Sequence, residues 1–319
     1  MNISANKCVT GLLAITFLVI AGCGGSGSES DKKTGVISLG VSDAPVHDAY
    51  KVCVAFNEVE FKGEGPSFAE PVDDVIVNLL EFQGNNAAPL LFNYELPAGD
   101  YQWMRLGVNA VLGDNGGADD MDLTGTGCVG TKSYLVTKTA GTLHNMYVPS
   151  GAESGLKLVG GFTVPAGGSA DFTAEFDLMK SVTAPNGLSP DVVFRPTIRL
   201  VNNVEVGTLT GTVSGGEDGL IVEGECPAPS VYVYPDSVMP NTTDSIASAM
   251  VNEQTDIEGQ ISFHYTIGFL LAVDEMGNSP GNYEVAFTCD GDALEPVFEP
   301  AAGKPAEIFP QELTEVNFP

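Results

Sequence analysis

Hydrophobic positions in this chain alternate with polar ones over short runs, and helical spacing is scarce. Phe172, Ala174, Phe176 and Leu178 interleave with Asp171, Thr173, Glu175 and Asp177. That alternation predicts a strand with one apolar face and one acidic, solvated face. Between Lys51 and Phe61 the apolar positions are Val52, Val54 and Phe56, then Val59 and Phe61. The change of parity between Phe56 and Val59 predicts a β-bulge. Further strands are predicted at 36–41, from Tyr101 through Trp103 to Leu112, at 131–138, and at 195–201 with Ile198 and Leu200 turned inward. The pattern restarts after Asn202-Asn203 at 207–213 and continues at 220–223, 231–234, 260–267 and 283–289. Residues 244–252 read as a brief helix or a loop. Gly and Pro punctuate these runs throughout, which is an all-β signature. The expectation is two tandem antiparallel β-sandwich domains, prealbumin/Ig-like, at 35–203 and 204–319.

One apolar run breaks the alternation. Residues 9–20 are apolar except for Thr10, Gly11 and Thr16, and Lys7 precedes them. A membrane-spanning helix needs about 20 apolar residues, so the run fits a signal-peptide core better. It ends in Ile20-Ala21-Gly22-Cys23, which resembles the bacterial lipobox. The resemblance implies cleavage after residue 22 and lipidation of Cys23, with membrane attachment through the lipid. Residues 23–34 then form a tether, polar and Gly/Ser-rich beyond Cys23, whose reach is ~20 Å. Gly rather than Asp follows Cys23, and resemblance to enterobacterial lipoproteins then implies the outer membrane. The expected location is the cell envelope, periplasmic or surface-facing. The segment 261–273 is short and contains His264 and Gly268, so it reads as a buried strand with its turn.

Beyond Cys8 and Cys23 the cysteines are Cys53, Cys128, Cys226 and Cys289. An even number in an exported chain implies disulfides. Three pairings are open. The sequential one places one bridge in each half, each closing a long loop worth roughly 4 kcal/mol in the chain-entropy model. The absence of CxxC and the three scattered histidines argue against zinc.

Charge divides the chain unevenly. Residues 35–203 carry 20 acidic and 9 basic side chains, whereas residues 204–319 carry 20 acidic and one basic, Lys304. Such a field repels nucleic acid and anionic lipid. Solubility is the ordinary reason for it, and a basic partner or a divalent cation is the functional one.

Five segments resemble a bacterial domain of unknown function, DUF4382. They are GVISLGVSDAPV at 35–46, LPAGDYQWMRLGV at 96–108, VPSGAESGLKLVGGFTVPAG at 148–167, FTAEFDLMKSV at 172–182 and RPTIRLV at 195–201. The resemblance implies a β-sandwich in exported lipoproteins and supplies no catalytic residue. Gly281-Asn282-Tyr283 is similar to the glycine–tyrosine corner of transthyretin-like or carboxypeptidase-regulatory-like sandwiches.

Candidate chemistry is sparse. Gly125 to Gly130 match G-x-G-x-x-G, but a strand-like run follows where a dinucleotide site needs a helix, so a turn around Cys128 is expected. No G-x-S-x-G or HExxH occurs, and His47, His144 and His264 lack local acid–base partners. Two acidic clusters offer oxygen ligands for Ca²⁺. One is Asp114, Asp119, Asp120 and Asp122. The other is Glu223, Glu225, Asp290 and Asp292, which a Cys226–Cys289 bond would bring together. Otherwise no cofactor is expected. The expected function is a non-enzymatic binding or adhesion module for a protein or glycan. The alternatives are a structural or accessory subunit of an envelope assembly, and a Ca-binding surface protein. An exposed aromatic platform using Trp103, or Tyr232 with Tyr234, would favour glycan. A flat apolar patch would favour assembly. A cleft gathering His with Asp would favour an enzyme.

Overall fold

Ile37, Leu39 and Val41 are buried at alternate positions of β1 (Thr34–Ala44) and make it a central strand. A computed structural model describes residues 33–319 except 45, 47, 119–124, 126, 139–140, 150–154, 159, 184–191, 242, 275–279, 292 and 294. In it β1 lies between β4 (Ala88–Pro97), antiparallel, and β11 (Ser169–Asp177), parallel. With β14 (Thr197–Asn202) outside β11, the order is β14-β11-β1-β4.

A second, larger sheet faces this one. It is centred on β2 (Ala49–Lys62), which pairs β3 (Phe68–Asn78), β6 (Trp103–Val108) and β7 (Tyr134–Thr137). Beyond β7 come β8 (Leu143–Tyr147), β13 (Val192–Phe194) and β12 (Val182–Thr183), and beyond β6 comes β9 (Leu156–Leu158). A short pair, β5 (Gly99–Tyr101) with β10 (Phe162–Val164), bridges the sandwich. Phe56, Phe61, Phe162, Phe172, Phe176 and Phe194 interlock between the sheets, with Phe56 and Phe176 edge to face at 6.2 Å. The register of β2 slips between Phe56 and Glu58, so the parity change in the sequence is a bulge.

Residues 206–318 build a separate pair of sheets. One has the order β18 (Asn252–Thr255), β19 (Ile261–Leu271), β15 (Val206–Val213), β22 (Leu313–Glu315). The other has β17 (Ala247–Met250), β16 (Ser230–Pro235), β20 (Asn282–Thr288), β21 (Glu299–Glu307). Leu209, Val231, Val233, Ile267, Val285 and Phe287 are core residues between them. Tyr283 donates its hydroxyl to the Leu271 carbonyl at 2.7 Å. Gly281 lies so close to β19's end that a Cβ would sit 2.0 Å from the Val273 amide nitrogen. Each half has its own cystine. Cys53 bonds Cys128 and Cys226 bonds Cys289, with Cα atoms 5.8 and 4.5 Å apart. The fold is therefore all-β with two sandwiches. Among the described residues, three strand pairs are parallel: β1 with β11, β8 with β13, and β15 with β22.

Several expectations are corrected. The run from Tyr101 to Leu112 is two strands, because β5 joins β10 whereas β6 joins β2 and β9, and the chain changes sheet at Gln102. Residues 220–223 contribute only an isolated bridge, Ile221 to Gly215. Residues 244–252 hold β17, an edge strand whose burial comes from its neighbours. Among the described residues, no helix is long and apolar enough to cross a membrane. Cys23, the leader and nearly all of the tether lie outside them.

Candidate functional site

The largest departure from the sequence pattern lies on β11. Its outward row of Thr173, Glu175 and Asp177 should be solvated, yet all three are buried. The second sandwich covers this face. Two apolar clusters flank the seam. Val201, Val206 and Phe269, packed with Ala87 and Leu271, form one. Tyr232, Tyr234, Ala286 and Phe298, packed with Met179 and Val238, form the other.

Buried carboxylates need counter-charge. Glu175 and Arg199 are register partners on β11 and β14, and the Arg199 Nε donates to Glu175 at 2.7 Å. Burial pushes the Glu175 carboxyl up to about 7, against the lowering effect of Arg199. Asp177 caps a single turn, α1 (Leu178–Ser181), by accepting from the Lys180 amide. Burial raises its pKa also, opposed by the Lys180 ammonium 3.4 Å away. The same ammonium donates to the Ser245 carbonyl, tying α1 to the second sandwich.

Between the clusters lies an open cleft of about 240 Å³. Its lining combines the carboxylate residues Asp43 and Glu175, the carboxamide residues Gln83, Asn85, Asn86, Asn252 and Gln254, the hydroxyl residues Ser248 and Thr266, and His264. Among the described residues, no Lys or Arg lines it. The floor comes from the loop after β3, from β11, and from β17 to β19, so neither sandwich forms it alone. His264 therefore does share a cleft with Asp43 and Glu175. Its Nε2, however, lies 2.9 Å from the Ser262 hydroxyl on its own strand, and Glu175 is engaged by Arg199.

Of the other candidate residues, Glu223, Glu225, Asp114 and Asp290 are exposed. Asp114 accepts from the Gly116 amide in a local turn. Asp119, Asp120, Asp122 and Asp292 lie outside the described residues. Among the described residues no three His, Cys, Asp or Glu side chains converge as metal ligands. In the glycine-rich segment, Cys128 is held by its cystine and the Gly127 carbonyl accepts from buried Lys51, while residue 126 lies outside the described residues. Tyr232 and Tyr234 form no exposed platform. They are buried against Phe298 at 5.6 and 5.8 Å, and their hydroxyls donate to Gly291 and Asn241 carbonyls. Trp103 stays partly exposed. The cleft's amides were missed because Gln83-Gly84-Asn85-Asn86 has only the composition of a turn.

These features define a class: an all-β, cystine-braced pair of sandwiches with a polar cleft at their junction. The family model for the domain of unknown function DUF4382 matches residues 34–196, about half of the chain, and the protein belongs to that family. No curated protein matches the chain. Among solved structures, a leucine-rich repeat protein from Bacteroides thetaiotaomicron is similar at 14% identity and TM-score 0.20, over 90% of this chain and 26% of that one. A candidate cell-adhesion protein from Bacteroides fragilis is 11% identical at TM-score 0.22, over 89% and 92%. The minor pilin of Streptococcus agalactiae is 12% identical at TM-score 0.17, over 88% and 93%. The chain thus spans about a quarter of the first of these.

Proposed function

We propose that this protein is an envelope lipoprotein, attached through a lipid on Cys23, whose paired sandwiches act as a non-enzymatic binding module for a glycan. The observation that carries the ligand class is the lining of the seam cleft. Carboxamides, hydroxyls and carboxylates offer donors and acceptors in both directions, and no lysine or arginine is present to select an anion. An uncharged, hydroxyl-rich ligand matches that inventory. About 240 Å³ accommodates roughly one sugar ring, so a glycan end or branch is the expected epitope. The attachment reading rests on Ile20-Ala21-Gly22-Cys23 behind the apolar run.

A glycan array probed with the protein tests the ligand. Binding to neutral glycans that falls at least tenfold in Asn86→Ala and Asn252→Ala supports it, and an array without signal removes it. Turnover of a bound glycan that vanishes in His264→Ala would make the cleft an active site instead. Labelled palmitate incorporated by the wild type and absent from Cys23→Ser tests the anchor.

A further inference from the structure

Trp103 is the chain's single tryptophan, and it sits among cations. Lys62 is its register partner on β2, and Arg105 lies two residues along the same face of β6. Lys157 on β9 is the register partner of Arg105. The Arg105 guanidinium lies 4.8 Å and the Lys157 ammonium 5.1 Å from the indole centre. Arg105 also pairs with Glu60 at 2.8 Å, while its buried Nε has no acceptor. Gly155, at φ +56°, leaves room for this arrangement, because a Cβ there would lie 2.9 Å from Arg105 Cγ and Cδ.

Like charges directly opposite across strands destabilise a sheet. A chain with 42 acidic and 13 basic residues nevertheless sets two of the latter over one indole, with a third, Lys62, opposite it on β2 and donating to the Gly65 carbonyl. The indole and Glu60 offset part of the repulsion. Lys157 is exposed on the outer face of the sheet, on the less acidic half of the chain.

The opposite chemistry is on the other half. The β18–β19 hairpin ends in Asp256-Ile257-Glu258-Gly259, and Ile257 is fully exposed. The tip is preformed, since Asp256 accepts from the Glu258 and Gln260 amides at 2.9 and 2.8 Å. Every residue of β18, Glu253 included, is exposed.

We infer that these two surfaces bind each other between copies: the hairpin tip of one molecule docks on the Trp103 face of the next. Ile257 covers the indole edge and the alkyl stems, and Glu253 and Glu258 meet Lys62, Arg105 and Lys157. The contact joins unlike surfaces, so it builds closed rings or open chains according to the rotation between successive copies. Its salt dependence is distinctive. Two copies of net charge −29 repel at low ionic strength. Raising salt from about 10 to about 150 mM shortens the screening length from roughly 30 to 8 Å and removes that repulsion before it weakens the contact itself, which about 1 M salt does.

Sedimentation velocity of the full chain carrying Cys23→Ser tests this at those three salt concentrations. Concentration-dependent association that peaks at the middle one is expected. Glu258→Lys and Lys157→Glu, both exposed and remote from either core, are each expected to weaken it at least tenfold, and an equimolar mixture of the two variants to restore it. A monomer at all three salts overturns the inference. So does association that neither variant alters, or an acidic polysaccharide captured by the Trp103 face of a chain that does not self-associate.

Discussion

The two sandwiches satisfy their buried polar groups in different ways. Among the described residues, all three ion pairs belong to the first half: Arg105 with Glu60, Lys180 with Asp177, and Arg199 with Glu175. The second half has one cation and instead uses tyrosine hydroxyls as donors to backbone carbonyls: Tyr232 to Gly291, Tyr234 to Asn241, Tyr265 to Val316 and Tyr283 to Leu271. A neutral donor carries a smaller desolvation cost than an ammonium, so an almost purely acidic sandwich can close its core without counter-ions. Among the described residues, none of its carboxylates is buried. The buried acids among the described residues, Asp43, Glu175 and Asp177, belong to the first half, and the cations facing the last two, Arg199 and Lys180, come from that half as well.

The largest expected effect asks whether the halves unfold together. Replacing Cys226 and Cys289 by Ala should remove about 4 kcal/mol from the second sandwich. A denaturant titration should then show that half melting first, with near-native signal from Trp103 in the other. A single shared transition would mean that the seam couples them fully. Next comes the seam pair. Arg199→Ala leaves Glu175 buried without its partner and should cost about 3 kcal/mol, measured by the same titration.

The acidity of Glu175 provides a pH signature. Its folded pKa, about 7, exceeds the ordinary carboxyl value of 4.5. The folded state therefore holds the proton more tightly, and this stabilisation is complete below about 4.5 and is lost as pH rises to about 7. The stability difference between wild type and Glu175→Gln should shift by up to about 3 kcal/mol over that window, turning against the wild type. A flat difference would mean that Arg199 compensates the carboxylate completely.

Smaller effects separate the two strategies further. Tyr265→Phe should cost about 1 to 2 kcal/mol by orphaning the Val316 carbonyl. Arg105→Ala breaks a partly exposed pair and should cost about 1 kcal/mol, so thermal melts should rank it last.

Much of the fold was legible in the residues. The parity change between Phe56 and Val59 announced the bulge, and the alternation in β11 marked which side chains enter the core. Pairing across sheets was not legible. Trp103 looked continuous with Tyr101, yet the two belong to different sheets, because alternation records which face a residue takes and not which strand lies beside it.

The sequence by itself determined the strand-rich character and the charge contrast between residues 35–203 and 204–319. It also carried the segments by which the family is known. Only the tertiary structure decided that the acidic row of β11 is covered, that Tyr232 and Tyr234 are buried, and that His264 faces the same cleft as Glu175. The reason is physical. A period-two pattern tells inside from outside for one sheet, but whether an outside face meets water or another sandwich depends on residues far away along the chain.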